Sequence, residues 1–402
     1  MRIPRNSSVR LGAVDGDLRA EANVRITADG AVKVSGSVRF HGSAEVTGDL
    51  ECGGFRSSDG TVTITGSLAA RNDIEAHDGA LEVGGSVKAR RVDVDRRLRI
   101  GGPAEADKFD VGGILDGAQT LTARAVSVGG RFQLVGRLQA ETVEAGGAVQ
   151  LGEVSIDSLE VGGTVRMGGG EVRRTIEVGG RFHAGQHLKF GSLEVGGLAE
   201  FDESAEGGTI EVGGLLSASK DLTFDALEIG GVGRIGGNAS GQRAEVGGKF
   251  DVRGSLTLAR TLEVGGSIQV RDVLTAEQLE LGGSLETRRA VLAGTAEIGG
   301  VVTTQEGLKA ARIRLGRKSR ARGPLVAETI EIEHGAKVED LYGGQIDLEE
   351  RAEARRIFGA RVRLRDGASA DEIAYTESVE VDSGARVRSP PRKVDTLPAF
   401  PL

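Results

Sequence analysis

A glycine pair that returns at a nearly constant interval constrains this chain more than any other feature. The first glycines of six successive pairs are evenly spaced, at Gly162, Gly179, Gly196, Gly213, Gly230 and Gly247. A short fixed period is the signature of a repeat architecture, in which each repeat contacts only its neighbours. The chain is therefore expected to form a solenoid, which offers surfaces and ends but no natural cleft.

Within one turn, apolar residues come in pairs separated by a single residue. Between Leu262 and Leu281 these pairs are Leu262/Val264, Ile268/Val270, Leu274/Ala276 and Leu279/Leu281. Such alternation predicts short strands with one buried face, and no segment holds the helical period. The sequence therefore predicts an all-β fold, a single-stranded parallel β-helix (solenoid) with a triangular cross-section and about 17 residues per turn.

The glycine pair follows the first strand of each turn, where we expect a corner whose backbone angles are costly for a residue with a Cβ. One step, from Gly101 to Gly112, is clearly shorter than the others. We expect the glycine column to move to another side of the triangle there, because this keeps every turn closed. The run from Arg56 to Gly60 is interpreted as a bulged corner loop.

These patterns divide the chain into three parts. A short flexible N-terminal segment covers 1–8, a continuous β-helix covers 9–388, and a proline-rich flexible tail covers 389–402. Within the β-helix, glycine-pair turns extend to about residue 317 and turns with a Gly-Ala corner cover 325–388.

Composition narrows the function. The 39% hydrophobic and 27% charged residues argue against disorder, and one cysteine, Cys52, fits a reducing cytosol. A net charge of −8 argues against a general nucleic-acid binder. The start, Met1 to Arg5, lacks the apolar stretch of a secretory signal, and the chain has no apolar run long enough to span a membrane. We therefore expect a cytoplasmic protein.

Motifs that could carry catalysis or bind a metal or cofactor are weak. The five histidines are scattered at His41, His77, His183, His187 and His334. The spacing of His183 and His187 does not aim both rings at one metal ion, because a strand and a corner separate them. We expect no enzyme, no cofactor and no metal site. The rival interpretation is a left-handed β-helix acyltransferase, which needs a glycine hexad on every side, whereas here glycines mark one side in three.

Two charged surfaces are candidate binding sites. The outward position before the glycine corner is glutamate in ten successive turns, and we name this set the acidic stripe: Glu144, Glu160, Glu177, Glu194, Glu211, Glu228, Glu245, Glu263, Glu280 and Glu297. It is either solvated surface copied by repeat duplication or a surface that divalent cations or a basic partner bridge. The second surface is a basic patch, interpreted as a solvated corner or as a docking point for an acidic surface or anionic lipid: Arg312, Arg314, Arg317, Lys318, Arg320 and Arg322.

The turn pattern h-x-V-G-G-x-h-x-h, where h is an apolar residue, is repeated from Val83 to Leu315. Two closing segments follow, Val362–Ala368 and Glu372–Val381. In these two features the chain resembles the bactofilin family of polymer-forming cytoskeletal proteins. The resemblance implies a right-handed β-helix that polymerises end to end, without nucleotide, into filaments lacking polarity. This chain is more than twice as long as the usual members. It also lacks their short apolar N-terminus, so membrane association stays open.

The ends of a solenoid expose strand edges unless something covers them. The first ten residues hold no amphipathic helix, so we predict a structural protein whose partner is another copy of itself. The predicted polymerisation interface is Val379, Val381 and Val387 in the last turn, or Val9 and Leu11 in the first. The alternative is a β-helical rod that does not polymerise and acts as a partner-binding scaffold or adhesin-like module, with Leu397–Leu402 folded over the last turn as a plug.

Overall fold

The structure, a computed structural model, describes residues 1–399, and every helix or strand assigned in this range is a β-strand. The chain divides into two compact units, Met1–Glu203 and Ser204–Leu402, which we call the first unit and the second unit.

The strands of the first unit, numbered β1 to β27 in chain order, are Arg2–Ile3, Ser8–Arg10, Ala13–Val14, Leu18–Ala20, Val24–Val34, Ser37–His41, Ala44–Cys52, Gly54–Ser58, Thr61–Ile64, Leu68–Ala70, Asp73–His77, Ala80–Val83, Val87–Lys88, Arg91–Val94, Arg97–Ile100, Ala104–Glu105, Lys108–Val111, Ile114–Gly117, Thr120–Thr122, Ala125–Val128, Arg131–Leu134, Arg137–Ala145, Ala148–Val161, Thr164–Val178, Arg181–Ala184, Leu188–Val195 and Leu198–Phe201.

The strands of the second unit, numbered β28 to β50, are Ala205–Val212, Leu215–Ala218, Leu222–Thr223, Ala226–Ile229, Val232–Ile235, Ala239–Gly241, Arg243–Val246, Lys249–Val252, Leu256–Leu258, Thr261–Val264, Ser267–Ala276, Gln278–Leu281, Ser284–Leu292, Thr295–Ile298, Val301–Lys309, Arg312–Leu315, Arg320–Arg322, Leu325–Ile332, Lys337–Leu348, Glu353–Leu364, Ser369–Val381, Arg386–Val387 and Arg392–Lys393.

Strands pair in parallel with the strand one turn further along the chain. In the first unit β11 pairs with β14, β12 with β15 and β13 with β16, so a turn contains three strands. Val94 lies beside Val111, and Val111 beside Val128, at the predicted spacing. In the second unit β31 pairs with β34 and β34 with β37 in the same way. The predicted all-β solenoid and the predicted length of its turn are confirmed for each unit.

The core of each unit is a set of side-chain ladders that run from turn to turn. In the first unit one ladder joins residues that are all at most 1% exposed: Ile74, Val92, Phe109, Val126, Val143, Leu159, Ile176 and Leu193. Each turn therefore buries its apolar face against the turns on either side, as the alternating pattern requires.

The physical reason predicted for the glycine pairs is wrong. Their φ angles lie outside the left-handed region, whereas a Cβ on Gly179 would lie 2.7 Å from the carbonyl oxygen of Gly162, and one on Gly180 would lie 2.5 Å from that of Gly163. The pairs are needed because corner backbones of successive turns approach closely. Left-handed angles occur instead at the Gly-Ala corners, at Gly335 and Gly367.

The short step between glycine pairs is a change of side, as predicted. The Gly101 N–H donates to the Val83 carbonyl (2.8 Å), whereas the Gly112 N–H donates to the Val94 carbonyl (2.9 Å) on a different strand. Every turn in this region remains closed. The predicted loop from Arg56 to Gly60 is mostly strand, since β8 extends to Ser58, and only Asp59 and Gly60 form the corner.

Both predicted boundaries of the solenoid are wrong. Strand β1 lies inside the predicted flexible segment 1–8, because Ile3 supplies an inward apolar side chain that is 1% exposed and pairs with Ala20. At the other end β50 lies inside the predicted tail and pairs with Ala374 and Tyr375. The last three residues of that tail, 400–402, lie outside the described residues.

Candidate functional site

The glutamates of the acidic stripe stack in register within each unit. Successive partners in the first unit run from Glu144 to Glu194, and those in the second unit run from Glu211 to Glu297. All ten side chains are exposed, because each lies between two inward residues, as Glu177 does between Ile176 and Val178. The predicted column of carboxylates is therefore present in both units.

The acidic stripe is not neutralised by its surroundings. Among residues 1–399 none of its ten carboxylates forms an ion pair or a hydrogen bond. In the first unit the neighbouring outward column is uncharged and small: Thr142, Ser158, Thr175 and Ser192. On the other side of each glutamate lies the glycine corner. Stacked rungs are about 4.8 Å apart, so these like charges repel one another.

In the second unit the acidic stripe borders a groove of about 450 Å³ lined by Glu263, Glu280 and Glu297. Arg314 takes the next position of the column after Glu297, and its guanidinium pairs with Glu333 at 2.7 Å. Within the described range no three His, Cys, Asp or Glu side chains are placed to hold one metal ion. The binding of divalent cations to the stripe therefore stays a prediction, and it would act by screening the column.

In the first unit the column of the acidic stripe continues toward lower residue numbers, where it ends in positively charged side chains. Its positions, in order of stacking, are Arg2, Arg19, Arg39, Arg56, Glu75, Asp93, Asp110, Ser127, Glu144, Glu160, Glu177 and Glu194. We name the first four the arginine segment and the last four the glutamate segment. Sequence reasoning missed the arginine segment because its steps are unequal, the one from Arg19 to Arg39 being longer than those on either side. A search for one fixed period does not align such positions.

The predicted basic patch is divided by the fold. Arg312 and Arg314 lie on β43, Arg317 and Lys318 on the next corner, and Arg320 and Arg322 on β44. The corner borders a groove of about 880 Å³ that also contains Glu331, Glu333, Glu349 and Glu350. The surface is therefore of mixed charge, and its predicted docking of an acidic surface or anionic lipid stays a prediction.

The histidines lie apart and contact polar neighbours at the surface. His183 Nε2 lies 3.0 Å from a carboxylate oxygen of Asp202, and His77 Nε2 lies 3.4 Å from Glu75. His41 Nδ1 lies 3.2 Å from the Ser58 hydroxyl. The structure brings no two of these rings together with a third metal-binding side chain anywhere in residues 1–399.

Cys52 is buried and inward, as expected of an inert thiol. It is 3% exposed, and burial raises its pKa to about 12, against a small opposing effect of Arg71. A thiol of this kind is almost wholly protonated at neutral pH and reacts slowly.

The last turn of the second unit leaves one strand edge bare. Val379 and Val381 lie beside Val362 and Leu364 of the preceding turn. Leu364 is fully buried, whereas Val381 is 40% exposed. The strands that follow pair elsewhere, β49 with Ser369–Ala370 and β50 with Ala374–Tyr375. Residues 382–399 therefore leave the outer edge at 378–381 without a strand partner.

The other predicted interface residues are less exposed. Val387 lies beside Ala370 and is half-buried. In the first turn of the first unit, Val9 lies beside Ile26 and is half-buried, and the Leu11 N–H donates to the Thr27 carbonyl at 2.9 Å. Of the predicted interface residues, Val381 thus presents the largest exposed apolar fraction.

The tail lies against the side of the second unit. Leu397, Pro398 and Ala399 line an apolar groove of about 680 Å³ together with Tyr342 and Phe358, whose rings stack with centroids 4.9 Å apart. The predicted plug over the last turn is therefore wrong for 397–399, because these residues line a groove formed by earlier turns. The rest of the predicted plug, 400–402, lies outside the described residues.

A buried carboxylate ties together the turns beneath that groove. The Asp340 side chain is 7% exposed and accepts hydrogen bonds from Arg355 (3.1 and 2.7 Å) and from Arg356 (2.9 and 2.6 Å). Burial alone would raise the pKa of Asp340, but the bonds from the two guanidiniums outweigh it and hold this pKa below its usual value. The cluster therefore links β46 to β47, in which Asp340 and Arg356 are stacked partners.

Comparison of the chain with protein-family models, with curated proteins and with solved structures found no match. The part of the chain that the structure describes contains no helix long and apolar enough to cross a membrane. The features that bear on function are therefore the solenoid turns, the charged column and the bare strand edge.

Proposed function

We propose that this protein is a structural protein that assembles end to end, without nucleotide, into cytoplasmic filaments of the bactofilin kind. The observation that carries the proposal is the bare edge at 378–381, where Val381 is 40% exposed although the chain continues past it. An uncovered strand edge beside apolar side chains is a template for pairing with another chain.

A second copy would satisfy this edge in two ways. Its strand would supply partners for the free N–H and C=O groups, and its apolar residues would cover Val379 and Val381. Full burial of a valine side chain stabilises by about 1.5–3 kcal/mol, of which the half-exposed side chains would gain a part. Because the turns of a solenoid are alike, the added turn would continue the same ladders.

The family resemblance supports the same proposal. Its closing segments, Val362–Ala368 and Glu372–Val381, fall on β47, the corner that follows it, and β48, which together build the bare edge. The family also implies a right-handed turn and nonpolar filaments, and we include both in the proposal. No cofactor and no catalytic step is part of it.

A second candidate is a solenoid that does not polymerise and serves as a partner-binding scaffold. It is favoured by β49 and β50, which cover two sides of the last turn, and by the tail segment in the apolar groove. In this case the tail protects the end from association.

Electron microscopy of the purified protein tests the proposal, with and without residues 389–402. End-to-end assembly predicts unbranched filaments in the absence of ATP or GTP, unchanged or increased when the tail is deleted. The scaffold candidate predicts single particles for the full chain and new aggregation after the deletion. Monodisperse particles in both proteins across a range of salt would contradict filament formation.

A further inference from the structure

We propose that two copies of this chain associate side by side in antiparallel orientation through the charged column of the first unit. The arginine segment of each copy would face the glutamate segment of the other. This contact runs along the side of the solenoid, so it goes beyond end-to-end assembly and does not depend on it.

The column has the charge pattern that such a contact needs. Its four arginines and four glutamates are separated by four positions, and the three acids among these already have cations of their own. Glu75 pairs with Arg56 (2.7 Å), Asp93 with Arg91 (3.0 Å) and Asp110 with Lys108 (2.9 Å). The unneutralised negative charge of the first unit's column is therefore concentrated in the glutamate segment.

The arginine segment is available for a partner. Arg19 is exposed and Arg39 half-exposed, and neither has an ion pair within residues 1–399. Arg2 pairs with Glu21 at 3.0 Å, and both side chains are exposed. Exposed ion pairs of this kind contribute little, so Arg2 can exchange partners at small cost. Arg56 stays with Glu75, so Arg2, Arg19 and Arg39 are the arginines of this segment that are available to a second copy.

The two segments match in spacing because both are built on the same ladder of parallel strands. Rungs recur at the strand spacing of about 4.8 Å in each segment. In antiparallel orientation three rungs pair at once: Arg2 with Glu194, Arg19 with Glu177 and Arg39 with Glu160 of the second copy. A two-fold axis then repeats all three contacts in the other half of the interface.

The middle of the column tolerates this register. Here Glu75 faces Ser127 of the second copy, and Asp93 faces Asp110, whose charges are compensated by Arg91 and Lys108. A register shifted toward higher residue numbers would place glutamates opposite glutamates. Like charges held face to face disfavour such alternatives.

The surface around the glutamate segment permits close approach. One flank carries only serine and threonine side chains, such as Ser158 and Thr175, and the other flank is the glycine corner. Longer side chains begin only beyond these flanks, at Arg174 on one side and Arg181 on the other. The facing arginine segment, whose side chains are long, can therefore reach the carboxylates.

Charge reversal tests the contact in the Val381→Arg background, where end-to-end assembly is expected to stop. One variant carries Arg19→Glu with Arg39→Glu, and the other carries Glu160→Arg with Glu177→Arg. Analytical ultracentrifugation at about 50 mM NaCl should show a dimer for the background protein and monomers for each variant alone. Mixing the two variants should restore a dimer, because every reversed position then meets its opposite in both halves of the interface.

The matched control is Arg131→Glu with Arg181→Glu, which makes the same charge change as Arg19→Glu with Arg39→Glu but on another side of the first unit. It should dimerise as the background does. Raising NaCl to about 500 mM should raise the dimer dissociation constant at least about tenfold, since the contact is electrostatic. Circular dichroism of each variant establishes that it is folded.

A monomeric background protein at low salt, or a mixture that stays monomeric, would overturn the proposal. Species that grow beyond the dimer would overturn the reciprocal antiparallel arrangement. Failure of end-to-end assembly is a separate result, because it would appear as wild-type protein without filaments. If Val381→Arg still forms filaments, the filament widths of the same variants are compared by electron microscopy. Paired filaments should then become single filaments only in the two charge-reversal variants.

Discussion

Removing charge from the middle of the acidic stripe should stabilise the second unit. In the triple variant Glu228→Gln, Glu245→Gln and Glu263→Gln, four stacked carboxylate pairs between Glu211 and Glu280 lose their repulsion. Two charges about 4.8 Å apart in water repel by about 0.9 kcal/mol, and physiological salt reduces this to about half. Four pairs then give at most about 2 kcal/mol, and about 3 kcal/mol at low salt.

The assay is urea unfolding followed by circular dichroism at about 10 mM and about 500 mM NaCl. A matched control, Glu353→Gln, Glu377→Gln and Glu380→Gln, removes the same charge from carboxylates that pair with Lys337, Arg361 and Arg363. The stripe variant should raise the urea midpoint most at low salt, whereas the control should leave it unchanged or lower it slightly. The reasoning would be refuted by a stripe variant whose urea midpoint is at or below that of the parent, or whose midpoint rises equally at both salt concentrations.

Three further predictions concern single residues. Arg351 has a left-handed φ of 58° at a corner where Gly335 and Gly367 stand in the adjacent turns. Arg351→Gly should therefore raise the free energy of unfolding by about 1 kcal/mol, whereas the control Arg365→Gly should lower it. Asp340→Asn should lower that free energy by about 2 kcal/mol. The folded pKa of Asp340 lies below 3.8, so the stabilisation of the fold by this carboxylate is complete above that pH and is lost as the pH falls further. The melting temperature should therefore fall less on acidification from about pH 6 to about pH 2 in the variant than in the parent. Burial raises the pKa of Cys52 to about 12 from 9.0, so the thiol should react with a disulfide reagent only on unfolding, and stability should decline as the pH rises from 9.0 toward 12. Rapid thiol modification of the folded protein, or melting curves that do not depend on these residues, would contradict the assigned environments.

The repeating part of the fold was predictable because its cause is local. A turn such as Leu262 to Leu281 alternates inward and outward residues, and burial of one face requires that alternation wherever it occurs. The acidic stripe followed from the same register, since Glu263 and Glu280 occupy equivalent positions beside the glycine pair. Residue type and spacing were sufficient for both.

What the sequence did not reveal depends on neighbouring turns. The need for Gly180 arises from the carbonyl of Gly163 in the preceding turn, which no local angle preference reports. The alignment of Arg19 with Arg39 requires the strand register, because corners of unequal length separate them. Likewise, Leu397 rests in a groove built by turns far from it in sequence.

The most direct test of end-to-end assembly is electron microscopy of the Val381→Arg variant beside the wild type and Val135→Arg. Val135 is 79% exposed at a corner of the first unit, so its variant adds the same charge to an exposed valine that is not part of the bare edge. Val381→Arg should keep the circular dichroism of the wild type and form no filaments, because it places a charge at the edge that a second copy must cover. Val135→Arg should form filaments like the wild type. Filaments of normal length from Val381→Arg would contradict the proposal that the edge at 378–381 joins successive copies.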